Sequence, residues 1–155
     1  MVDDLDDKAL SLVKRMVKTI KRVGVEKVIA VLSVLPPSKN EGFTEPQKKL
    51  IDFVIEQIAN AFQIGSEELM VKNIRGVAYE ARSMCFILLK KHLDLTHGDI
   101  SGIFGEKNHS RVSHAFTSFK VRNYDIKADR IFLEIYKETD KKVKEQKHLL
   151  WLQHN

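Results

Sequence analysis

Between Asp94 and Ala115 the chain reads DLTHGDISGIFGEKNHSRVSHA, and no other stretch restricts the fold as tightly. Two short helices must lie back to back there. Thr96 is placed to N-cap the first, and Asp99, three residues on, completes a capping box. Gly105 supplies the backbone freedom that a sharp helix exit needs. Asn108 is placed to cap the second helix, whose apolar stripe is Val112, Ala115, Phe116 and Phe119. The opposite side carries Ser110, Ser113, His114 and Thr117, flanked by Lys107 and Arg111. An apolar back with a front of short hydrogen-bonding and cationic side chains suits the major groove of DNA. The segment therefore predicts a helix-turn-helix.

The 155 residues suit one ordinary domain, and a hydrophobic content of 43% is enough to bury a real core. The net charge of +5 fits a polyanionic partner without demanding one. Its placement says more. Residues 105–124 carry four basic groups and one acidic group, whereas residues 44–104 carry seven and eight. Positive charge is thus densest on the turn and the second helix of the motif. The single cysteine, Cys85, excludes an internal disulfide and shares a helical face with Ala78, Ala81 and Leu89, so it reads as a buried small hydrophobe. With no signal peptide and no apolar run long enough for a bilayer, the expectation is a cytoplasmic protein with no membrane partner.

The rest of the pattern is helical, which predicts an all-α fold. Leu5, Leu12, Val13, Met16 and Ile20 recur at helical spacing, with acids at the start of that helix and Lys21 and Arg22 near its end. Gly24 breaks it. A mostly apolar helix is expected over 25–35, although its valine-rich VIAVLSVL also admits a strand. Pro36, Pro37 and the polar run to Gly42 form a linker. Thr44, Pro46 and Gln47 start a helix to about residue 62, Ser66 starts a short one, and a longer helix spans 77–92. After a break at Asn123 and Tyr124, Asp125 caps a last helix whose thin apolar seam is Ile131, Ile135, Val143 and Leu150. Three parts follow: 1–43 as a helical pair with linker, 44–124 as the helix-turn-helix domain, and 125–155 as a long helix packing on that core or a partner.

IANAFQIGSEEL, the EAR of Glu80 to Arg82, DLTHGDISGIFG and NHSRVSHA together resemble the C-terminal DNA-binding domain of the bacterial replication initiator DnaA. The likeness runs from Phe53 to about Phe119. It implies a Trp-repressor-like helix-turn-helix core and double-stranded DNA as the partner. By that resemblance Asn108, His109, Ser110 and Arg111 touch base edges and nearby backbone in the major groove, and Arg82 reaches into the minor groove. Lys72 and Arg75 stand near the family's basic loop, and Lys107 and Arg122 are expected on phosphate. His114 lies on the same face, as a backbone contact or a solvated side chain. Four departures stand out. Asn108 replaces an aspartate, Arg111 a small hydroxyl residue, Ser113 an apolar side chain and Gly98 a proline, so a different or more relaxed sequence preference is expected.

The chain has no GxxxxGK[ST] loop and no space for an ATPase module, so the resemblance implies a stand-alone binding domain of the kind a mobile element or phage encodes. His92 with His97 and His109 with His114 are spaced five apart, whereas two metal ligands on one helical face want three or four. No metal, no cofactor and no catalysis are expected. The competing class is a protein-interaction module that keeps the helix-turn-helix as scaffold, its terminal helices forming a homodimer or docking a replication protein.

Overall fold

The computed structural model describes residues 42–71 and 74–155, together with residues 9–11, 13–15, 17, 18, 21 and 24. The chain divides into two compact units, 1–38 and 39–155. In the first, every described position from 9 to 21 is helical, as the spacing predicts, and Gly24 has φ +85° where the break is expected. The acidic start, the expected helix over 25–35 and most of the linker lie outside the described residues.

The second unit holds α1 (Glu45–Ala61), a 3-10 turn (Ser66–Met70), α2 (Val77–Leu93), α3 (His97–Ile103), α4 (Ser110–Lys120) and α5 (Lys127–Gln153). The described residues contain no strand. Local chemistry sets the helix starts. Thr44 and Gln47 exchange hydrogen bonds, the Gln47 side chain accepting from the Thr44 N–H at 2.9 Å, and a proline sits in the first turn of α1. Thr96 and Asp99 do the same for α3, at 3.0 and 3.1 Å. At the end of α3 the chain reverses through Gly105 at φ +67°, and the Glu106 N–H donates to the Ser101 carbonyl at 2.9 Å.

Every residue of α2 from 81 to 89 is buried, because this helix touches α1, the 3-10 turn, α3, α4 and α5. Leu50, Val54 and Ile58 of α1 meet it four residues apart, as one stripe of a helix must. In α4, Val112 and Ala115 are buried and Phe116 and Phe119 pack partly against the core, which is the predicted stripe. The capping of α4 is shifted by one residue. His109 is its geometric N-cap, yet Asn108 Oδ1 accepts from the Ser110 N–H at 3.1 Å and from its hydroxyl at 2.6 Å.

Two expectations for the last helix need correction. Asp125 does not cap it: Ile126 is the N-cap, and Asp129 from the first turn accepts from the Asn123 N–H at 3.0 Å. The predicted seam holds at Ile135, Val143 and Leu150 but not at Ile131, whose place Phe132 takes. Phe132, Thr139, Val143 and Leu150 are buried, while Ile131 is 50% exposed. With half-buried Tyr136 these positions step by four, three, four and then seven residues, so α5 lies along α1 and α2 with one narrow stripe inward. Phe132 meets Phe62 and Phe119, each at 6.4 Å between ring centroids. Asp140 clamps the same interface, 2.7 Å from His92 Nε2 and 2.7 Å from Lys91 Nζ, and Lys147 donates to the His92 carbonyl at 2.6 Å. No helix among the described residues is long and apolar enough to cross a membrane.

Candidate functional site

The front of α4 with the turn before it is the candidate surface. Lys107, Asn108, His109, Ser110, Ser113, His114 and Thr117 are all exposed, directly over the buried Val112 and Ala115. Neighbouring helices brace this face from beneath. His97 of α3 lies flat on Phe116, with ring centroids 5.2 Å apart and planes 4° from parallel, and its Nδ1 is 3.1 Å from the Ser113 hydroxyl. Tyr79 of α2 places its hydroxyl 3.1 Å from His114 Nδ1, and Ser118 Oγ is 3.4 Å from the same nitrogen. When Nδ1 accepts from these hydroxyls, the neutral ring carries its proton on Nε2 and offers a donor there.

Arg82, expected from sequence to reach a DNA groove, lies instead at the inner wall of the cleft behind this edge. It is 2% exposed. Its Nε donates to the Leu69 carbonyl at 2.6 Å, Nη2 donates to the Val71 carbonyl, and Nη1 meets Glu106 Oε1 at 2.7 Å. Burial pulls its pKa down while the Glu106 carboxylate works to raise it again. A guanidinium bonded at all three nitrogens braces the 3-10 turn and the α3–α4 turn against α2.

Arg122 is likewise an internal brace where a free phosphate contact was expected. It pairs with Glu80, donates to Asp129 Oδ1 at 2.9 Å and stacks with Cζ 3.5 Å over the Phe132 ring. Arg111 is intermediate: its side chain is 38% exposed, and Nη1 lies 3.2 Å from the same Glu106 oxygen that Arg82 holds. Arg75 is exposed, as is Lys107, and Lys72 lies outside the described residues. Asn108, Ser110, Glu106, Lys107 and Arg111 line a cleft of about 390 Å³ against the α3–α4 turn, with Arg82 and Phe104 at its inner wall.

Sequence reasoning missed Glu106, Tyr79 and His97 as supports of this face. Their partners lie between five and 35 residues away, beyond any capping or heptad rule. For Arg82 a signal was present: Ala81, Met84, Cys85 and Phe86 surround it with apolar side chains. Cys85 is fully buried, as expected, and burial pushes its thiol pKa up. Among the described residues, no three His, Cys, Asp or Glu side chains group so as to hold a metal ion.

Residues 51–118 match the family model described as the bacterial DnaA protein helix-turn-helix. None of the curated proteins matches the chain. A solved structure described as the crystal structure of a DNA replication initiation factor is similar over 86% of this chain, at 21% identity and a TM-score of 0.51. The present chain spans 38% of the length of that one, and the likeness is one of fold.

Proposed function

We propose that residues 51–118, which match the family model of the bacterial DnaA helix-turn-helix, form a domain of that type, and that the protein uses it to bind double-stranded DNA without carrying out chemistry. One observation carries this reading: the leading edge of α4, Lys107 to Ser110, is open while the back of the same helix is locked into the core. An α-helix fits the major groove, and its first turn is the part that reaches base edges. His109, Asn108 and Ser110 offer donors and acceptors there, and His114 offers its Nε2 one turn further on. Lys107 and Arg75 supply phosphate contacts, with Lys72 expected beside them, so affinity falls as salt rises. The domain type points to a role in replication or its regulation.

Electrophoretic titration against random duplex and against duplexes selected from it, at several salt concentrations, tests the reading. His109→Ala is expected to cost about 1–3 kcal/mol on selected sequences and little on random ones. Lys107→Ala is expected to weaken all sequences alike and to reduce the salt slope by about one. Wild-type protein that binds no duplex at low salt, or variants indistinguishable from it, would remove the proposal.

A further inference from the structure

Glu106 puts an acid at the edge of a surface whose proposed partner is a polyanion. Its backbone is fixed by the left-handed Gly105 before it and by its own N–H bond to the Ser101 carbonyl. Its Oε1 receives two guanidinium groups, Arg82 at 2.7 Å from inside and Arg111 at 3.2 Å from outside. Exposure rises along this line, from 3% for the Arg82 side chain through 15% for Glu106 to 38% for Arg111. Arg82 itself is held by the carbonyls of Leu69 and Val71. A chain of charge-assisted bonds thus runs from the core to the first turn of α4.

We propose that Glu106 is a positioning residue that holds the Arg111 guanidinium so that it reads a guanine in the major groove. The inference rests on the DNA-binding reading above and deepens it. Among the described residues, Arg111 makes its hydrogen bond to Glu106 alone, through one of five N–H groups. The others suffice for bidentate contact with guanine O6 and N7, which requires a planar fork held in one orientation. A cation serving only phosphate would gain nothing from an adjacent acid, because the carboxylate weakens its attraction to any backbone. Two guanidinium groups on one carboxylate still leave a net positive charge. Arg111 therefore stays attractive to DNA while its geometry is restricted, the combination that favours base reading over charge capture.

The test selects bound sequences from a random duplex pool with the full-length wild-type protein. Dissociation constants are then measured on the selected duplex and on versions with one base pair changed, for wild type, Glu106→Gln, Arg111→Ala, Arg111→Lys and the Glu106→Gln/Arg111→Ala pair. Arg111→Ala is expected to lose roughly ten-fold discrimination at one G·C pair. Arg111→Lys, whose ammonium still donates to guanine but offers no planar fork, loses part of that discrimination, and it leaves the Glu106–Arg82 pair untouched. Glu106→Gln loses most of the preference at that same pair while binding random duplex more tightly and with a steeper salt slope. Adding it to Arg111→Ala changes the preference no further. A merely structural Glu106 would instead weaken every sequence and add to Arg111→Ala. Undiminished preference in Glu106→Gln, or in Arg111→Lys, overturns the inference and leaves DNA binding standing. Wild type that binds no duplex overturns both.

Discussion

Arg82 and His109 are both polar side chains near the α3–α4 turn, and their surroundings give them opposite work. Arg82 sits in the buried run 81–89 of α2, and all three of its nitrogens are bonded. Removing it takes the inner of two guanidinium partners from Glu106 and leaves the Leu69 and Val71 carbonyls without that donor. Arg82→Ala is therefore expected to lower unfolding stability by about 3–5 kcal/mol, read by chemical denaturation. Arg82→Lys recovers little of this, since one ammonium cannot span three acceptors. His109 is exposed at the geometric N-cap, where its side chain makes no capping bond, and His109→Ala is expected to melt like wild type while losing affinity only for selected DNA. A melting curve unmoved by Arg82→Ala would contradict the brace assigned to it.

At the scale of elements, the tie between α2 and α5 makes a pH-dependent prediction. Burial works to raise the Asp140 pKa, but hydrogen bonds from Lys91 and His92 outweigh it and hold the carboxyl below its ordinary value. Lys91 is raised in turn, first by its bond to Asp140. A carboxylate whose pKa is depressed by folding adds stability above its unfolded value, and that stability is lost as the pH falls through the folded one. A lysine raised by folding adds stability below its unfolded value, lost only as the pH climbs through the folded one. Asp140→Asn should therefore cost about 1–2 kcal/mol at neutral pH. Its deficit against wild type should close as the pH drops below about 4. A gap that persists undiminished into strong acid would show that the carboxylate does not hold the helices together.

The helix starts at Thr44 and Thr96 were legible because both partners of each capping box lie three residues apart. The α4 stripe was legible for the same reason, its period being written into the sequence. The seam of α5 was legible at Ile135, Val143 and Leu150 but not near its start. Ile131 and Phe132 are adjacent and both apolar, and only packing against Phe62 and Phe119 decides which turns inward. Arg82 and Arg122 were misplaced because the acids that capture them, Glu106 and Glu80, are 24 and 42 residues away. Side chains that look like surface cations in sequence thus become internal braces, which leaves Lys107, Arg75 and the small polar groups of α4 to face outward.

Over the second unit, α2 acts as a mast around which the other helices stand, and every support of the α4 face leads back to it or to α3. Tyr79 and Arg82 come from α2, and His97 comes from α3. The result is a rigid back carrying a polar front, with positive charge concentrated between residues 105 and 124. Such a body should dock on DNA with little internal rearrangement. Titrating isotope-labelled protein with a random-sequence duplex, and following each backbone amide by nuclear magnetic resonance, probes this most directly. The account predicts shifts concentrated at residues 105–114 and near Arg75, with the α5 amides over 127–153 almost still. Shifts confined to α5, or none at all at low salt, would contradict it.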